Sequence, residues 1–381
     1  MWVNEEFSKT IFDYARFLKV LNLWKLKCKV DEWIALINSK SPNDGTSRYH
    51  IINLLFKLFI ESGAILHRFD LYCSLEFKPE IFYSLEQNEQ FFSQIQHLSL
   101  HIIDFNVESA TTLTLRFREY YNNGHDNDML QLIHSFIYII KSQEQLRIIN
   151  LAEVGYFTKS YGIISALESQ KNSLQEVRID NCNFSAGFEL TDDQIDARYI
   201  ALMLKKSGIL LQRLCLESDD EINEEPLLLE TIKSFCPNIT CLRITCFVFS
   251  TQLIELIGNF QKLHFLSLWC NTDDISDEEL RIRIIQFSNK LPLTLQYFCL
   301  DHWLSKYIDI LLNHCNAPLK KLLIYEIYNE KIFKALVEFC IRIKTLNYVG
   351  VKRYLDLDDN IKKELEAYVA LVPYKPTDVN F

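Results

Sequence analysis

Five times between Ile239 and Tyr348 the chain places apolar side chains at the first, fourth and sixth positions of a short segment. The matches are Ile239-x-x-Leu242-x-Ile244, Leu263-x-x-Leu266-x-Leu268, Leu295-x-x-Phe298-x-Leu300, Leu319-x-x-Leu322-x-Ile324 and Ile343-x-x-Leu346-x-Tyr348. Their first positions lie 24, 32, 24 and 24 residues apart. A unit of that length cannot close a core alone, so this period constrains the chain to stack one unit on the next.

Composition alone makes the motif weak. Leu, Ile, Val and Phe supply 135 of 381 residues, enough for three fixed apolar positions to match by chance at about seventeen starts. Phase carries the reading instead, because helical segments precede the late matches. Pro226 opens one that runs to Phe235, where its ring suits a first helical position. Ser276-Asp-Glu-Glu279 is a capping box in front of a helix predicted over Leu280 to Asn289. A third is predicted from Asn329 to Cys340, with Ile332, Phe333, Leu336, Val337 and Phe339 as its apolar face.

Upstream, the same pattern starts at Leu211, Leu174, Leu146, Ile95, Leu66 and Leu18, with irregular spacing. Ala110-x-x-Leu113-x-Leu115 follows Ile95 too closely for an intervening helix, so residues 101 to 145 are read as an irregular unit ending in a helix over Asp128 to Lys141. At the C-terminus a capping helix is predicted from Asp358 or Asp359 through Leu371.

These elements define an α/β fold, a leucine-rich-repeat solenoid of the ribonuclease-inhibitor-like horseshoe kind. Its expected parallel β-sheet is concave, and its convex side is mainly helical. We expect one elongated domain: an N-terminal helical or degenerate-repeat cap over 1–65, the solenoid over 66–350, and a capping helix and tail over 351–381. A hydrophobic content of 49% with 9 Gly and 8 Pro supports a large core and few breaks.

A formal net charge of −10 argues against nonspecific nucleic-acid binding, which needs a cationic excess. The acidic stretches Glu217 to Glu225 and Asp273 to Glu279 read as solvated loops or helix starts. The apolar run from Ile51 to Leu66 is interrupted by Asn53, Lys57 and Glu61, and no signal segment is visible, so the expected location is intracellular, cytoplasmic or nuclear, without membrane contact. Eleven cysteines, odd in number and without framework spacing, agree with that compartment.

Several cysteines keep a fixed place in the repeat. Cys236 and Cys340 stand three residues before Ile239 and Ile343, and Cys182 stands three after Ile179. With Ile11 to Leu23, Leu54 to Ile60 and the late repeats, this resembles the cysteine-containing leucine-rich repeats of the F-box protein families expanded in some fungi. The resemblance implies a substrate-recognition or adaptor subunit of a cullin-type ubiquitin ligase, whose F-box binds the ligase adaptor while the repeats hold a protein target. An F-box usually opens on a Leu-Pro pair; Glu5 to Phe12 carries no such pair, so the F-box is expected to be absent or truncated. The alternatives are a free-standing scaffold or inhibitor without a ubiquitin link and, behind it, a GTPase regulator.

No catalytic motif is present: there is no Gly-rich phosphate loop, Cys-x-x-Cys, His-Glu-x-x-His or Gly-x-Ser-x-Gly. Cys299-x-x-His302 and His314-Cys315 are ligand-like residue types that read as packing residues, so neither enzyme activity, metal nor cofactor is expected. The expected partner is a protein, held by the outward residues of the sheet: Arg213, Glu217, Arg243, Phe265, Trp269, Tyr297, Asp301, Lys321 and Tyr325. Aromatic and arginine side chains are enriched where interfaces concentrate their energy.

Overall fold

The computed structural model describes residues 14–37, 45–73, 88–102, 126–152, 160–180, 195–218, 222–300, 302–327, 329–354 and 359–373. The chain forms two compact units, Met1–Asp193 and Gln194–Phe381. Each alternates parallel strands with helices.

In the first unit the strands are β1 (Val20–Asn22), β2 (Arg68–Cys73), β3 (His97–Ile102), β4 (Ile148–Ala152) and β5 (Glu176–Asp180), each paired in parallel with the next. The register aligns Leu21, Phe69, Leu98, Ile149 and Val177 in one row, and all five are buried. Every upstream repeat predicted at Leu18, Leu66, Ile95, Leu146 and Leu174 therefore contains a strand. The helix expected over Asp128 to Lys141 spans Asp126–Ser142, whereas the match at Ala110 lies outside the described residues.

Two buried glutamines join successive repeats here. Gln143 accepts from the Ile95 amide at 3.0 Å and donates to the Ile139 carbonyl at 2.9 Å. Gln170 donates to the carbonyls of Ile140 and Gln143 at 2.8 and 2.7 Å. Helix ends leave carbonyls without an intrahelical partner, and in a buried stack a side-chain amide replaces the missing water.

The second unit carries β6 (Ile195–Asp196), β7 (Arg213–Glu217), β8 (Ile222–Asn223), β9 (Cys241–Val248), β10 (Phe265–Asn271), β11 (Tyr297–Leu300), β12 (Lys321–Ile324), β13 (Tyr348–Val351) and β14 (Ala370–Pro373). β6 and β8 form a small parallel pair. The others make a parallel ladder in the order β7-β9-β10-β11-β12-β13-β14. Leu214, Leu242, Leu266, Phe298, Leu322, Val349 and Leu371 form one buried row across it. Burying each such side chain contributes about 1.5–3 kcal/mol, which is why the row sets the register.

The helices of this unit start where the sequence places their caps. Ser276 accepts from the Glu279 amide ahead of the helix Asp277–Lys290, and Asn329 accepts from the Ile332 amide at 2.8 Å ahead of Glu330–Arg342. The helix opened by Pro226 spans Glu225–Phe235.

Two expectations are corrected. The fifth late repeat is Leu346-x-x-Val349-x-Val351, because Val349 pairs with Leu322 and Val351 with Ile324. Tyr348 thereby turns to the other face and is 49% exposed. The preceding helix runs to Arg342, and the repeat starts at Leu346, three residues after Ile343. At the C-terminus the helix Asp359–Glu366 stops short of Leu371, and the chain adds β14 against β13. Val369 and Leu371 are buried there, so a further strand, rather than a longer helix, covers the apolar edge.

Leu266 is fully buried; Leu266→Ala is expected to cost about 2–5 kcal/mol in chemical denaturation. Asn329→Ala, which removes only a cap, is expected to cost about 1 kcal/mol.

Candidate functional site

Alternation along each strand gives the second unit's ladder one buried and one open face. The register sorts the open residues into three rows. The first holds Arg213, Cys241, Phe265, Tyr297, Lys321 and Tyr348; the second holds Cys215, Arg243, Ser267, Cys299, Leu323 and Gly350. Thr245 and Trp269 pair in the third, which continues one step beyond β12 and β13 to Tyr325 and Lys352.

The middle row is low. Ser267, Cys299 and Leu323 are 9%, 6% and 4% exposed although they lie on the open side, because larger side chains flank them. Phe265 is buried as well, whereas Tyr297 and Tyr348 are 37% and 49% exposed. From β10 to β13 the result is a low row with aromatic side chains along both margins.

The third row ends in an aromatic cluster. The His302 ring lies 5.6 Å from Trp269 and 5.7 Å from Tyr325, and the Lys352 ammonium and Arg353 guanidinium lie 5.0 and 5.4 Å from the Tyr325 centroid. Arg353 also pairs with Glu326 at 3.4 Å. A β-bulge positions Trp269: it pairs with Thr245, its successor Cys270 pairs with Phe247, and Cys246 is the extra residue, at φ +60°. The bulge turns Phe247 into the core and leaves Trp269 on the open face. Beneath the cluster Trp303 donates to the Leu268 carbonyl at 2.8 Å and stacks edge-on against Phe249, whose centroid is 4.9 Å away.

Beside the cluster opens a cavity of about 620 Å³, also lined by Trp303, Tyr307, Asp273, Asp277 and Lys306. The Tyr307 hydroxyl donates to Asp277 at 2.5 Å. At the other end of the ladder Glu217 receives the Cys215 thiol at 3.0 Å and pairs with Arg243 at 3.4 Å.

Eight of the nine expected partner-binding residues are thus described, all on one face of one unit. Asp301 lies outside the described residues. The structure joins Trp269 to Tyr325 and Glu217 to Arg243, and it sinks Phe265 into the margin. Sequence reasoning missed His302, Lys352, Arg353 and Tyr348. The first three follow strands rather than lying in the motif, and Tyr348 was assigned to the buried side by the one-repeat misphasing.

Cys299 is buried on its strand and Cys315 at the end of the helix Ile308–His314. His314 meets the Ile310 carbonyl at 2.9 Å. Among the described residues no group of three or more His, Cys, Asp or Glu is placed to hold a metal ion, and no helix is long and apolar enough to cross a membrane. Burial pushes the thiol of Cys236 up to about 12 and those of Cys315 and Cys340 up to about 11. Protein-family models give no match to this chain, and curated proteins give no significant relative.

A thiol whose folded pKa lies above its unfolded value stabilises the fold below the unfolded pKa and loses that contribution as pH rises toward the folded one. Stability is therefore expected to fall from about pH 9 toward pH 12, with a shallower fall in Cys236→Ala, read by denaturation at stepped pH. In native protein an alkylating reagent is expected to modify half-buried Cys241 and Cys246 well before Cys236 and Cys315.

Proposed function

We propose that this chain is a protein-interaction module that binds a protein target on the open face of the second unit's ladder. The observation that carries the reading is the low row between two aromatic-bearing rows. Tyr297 and Tyr348 stand on one margin, Trp269 and Tyr325 on the other, with Ser267, Cys299, Leu323 and Gly350 between them. Aromatics held rigid by neighbours bury much area at little entropic cost, so they anchor partners well. The repeats are taken as leucine-rich repeats of the horseshoe kind, which makes this face the concave one.

The resemblance to F-box proteins with such repeats extends the proposal to target recognition for a cullin-type ubiquitin ligase. A scaffold or inhibitor without that link is the alternative. Neither reading assigns catalysis to the chain.

The test is quantitative affinity capture of the tagged chain from its own cells, beside a Trp269→Ala/Tyr325→Ala variant whose thermal unfolding is unchanged. Each truncation at an anchoring aromatic removes about 2 kcal/mol or more, so at least one protein is expected to fall by more than about tenfold in the variant. Cullin and adaptor recovered with both forms would support the ligase-linked reading, and their absence the free-standing one. A partner list identical for both forms would remove the proposed site.

A further inference from the structure

The cavity of about 620 Å³ lies where three parallel strands end. Thr272 and Asp273 follow β10, the 3₁₀ turn His302–Tyr307 follows β11, and Tyr325 and Glu326 follow β12, so segments of three successive repeats enclose it. Pockets that hold small molecules have volumes of about 300–1,000 Å³, and in parallel α/β structures they favour the carboxyl ends of the strands. Part of the lining is apolar: Trp303 and Tyr307 present rings, with Ile275 and Leu280 beside them.

Besides His302, four charged side chains line the cavity: Asp273, Asp277, Glu326 and Lys306. Two of them are already committed. The Tyr307 hydroxyl donates to Asp277 at 2.5 Å, and Arg281 lies 3.9 Å from the same carboxylate. Arg353 holds Glu326 at 3.4 Å, and Lys352, 5.0 Å from the Tyr325 centroid, lies outside the lining. Among the described residues neither the Asp273 carboxylate nor the Lys306 ammonium takes a hydrogen bond or an ion pair, and the two stand beyond ion-pair reach of each other. Asp273 is placed by its backbone amide, which donates to Asn271 Oδ1 at 2.9 Å. After every pair is counted, one anion and one cation stay open on the lining, together with aromatic walls.

That remainder is complementary to a molecule that carries both charges and a ring. We propose that the cavity binds a free aromatic α-amino acid, whose ammonium meets Asp273, whose carboxylate meets Lys306 and whose ring lies against Trp303 and Tyr307. The walls are set before binding: Trp303 donates to the Leu268 carbonyl at 2.8 Å, and the bond to Asp277 fixes Tyr307. Fixed walls lose little entropy when a ligand arrives, and ring-to-ring contact adds to the area buried. Each charge of the ligand gains a charge-assisted hydrogen bond, whereas a molecule with one charge leaves the opposite side unanswered. Asp273 and Lys306 are exposed, so solvent moderates both contributions. This proposal is independent of the protein-binding reading, and either can fail without the other.

The test is ligand-observed saturation-transfer NMR on the full chain, titrated with L-phenylalanine, phenylalaninamide, N-acetylphenylalanine and L-alanine. Phenylalanine has twelve non-hydrogen atoms, so its Kd is expected at about a millimolar. It is expected to bind several-fold, up to about tenfold, more tightly than phenylalaninamide, which lacks the carboxylate, and N-acetylphenylalanine, which lacks the ammonium. Alanine, without a ring, is expected to give no measurable binding. Asp273→Asn and Lys306→Gln, each checked for unchanged thermal unfolding, are expected to weaken phenylalanine by a similar factor. Asp273→Asn is also expected to erase its advantage over N-acetylphenylalanine. A capped compound that binds as tightly as phenylalanine would make the ligand a chain end rather than a free amino acid and overturn the proposal. So would phenylalanine binding unchanged in both variants, alanine binding as tightly as phenylalanine, or no binding at about 10 mM. The protein-binding face would still stand, because affinity capture with Trp269→Ala/Tyr325→Ala reads it separately.

Discussion

The in-register burial of one apolar row is the constraint on which the second unit depends. Leu214, Leu242, Leu266, Phe298, Leu322, Val349 and Leu371 lie side by side along a parallel ladder. A slip of one residue in any strand would send its whole apolar set to the other face. Parallel pairing in turn demands a crossover between strands, and the helices supply it. Once the row is fixed, alternation fixes the open-face residues of each strand wherever no bulge interrupts it.

Most of this organisation was legible in the sequence because it depends on local spacing. The second and third motif positions of the repeats that start at Leu211, Ile239, Leu263, Leu295 and Leu319 coincide with paired strand residues, and the caps at Ser276 and Asn329 do what their residue types allow. Failures came where local patterns tie. Ile343, Leu346 and Tyr348 satisfy the same template as Leu346, Val349 and Val351, and only pairing with β12 separates them. Leu371 reads as the end of a helix because Ile361, Leu365 and Tyr368 lead to it at helical spacing, while its strand partner Val349 is distant in sequence. The buried amides of Gln143 and Gln170 follow no motif, because their partners are helix-end carbonyls in neighbouring repeats.

The open face was legible in part for the same reason. Arg213, Arg243, Trp269, Lys321 and Tyr325 could be placed by alternation alone. The depth of the middle row could not, since it depends on which neighbours rise beside Ser267 and Cys299. Nor could the extra residue at Cys246, which breaks the alternation of β9 and thereby sends Phe247 inward beside a Trp269 that stays outside. Local irregularity of this kind is common where a sheet re-aims a side chain. His302, Lys352 and Arg353 enter the site from residues that follow strands, where repeat motifs carry least information.

Site-specific photo-cross-linking tests the central claim most directly. A photoreactive phenylalanine analogue would replace Tyr297 or Tyr348 on the open face, and Ile282 or Ile341 among the exposed apolar residues of the helices. The account predicts that a protein captured by the chain cross-links from Tyr297 and Tyr348 and not from Ile282 or Ile341. Cross-linking from the helical positions alone would place recognition on the opposite side of the unit and contradict it.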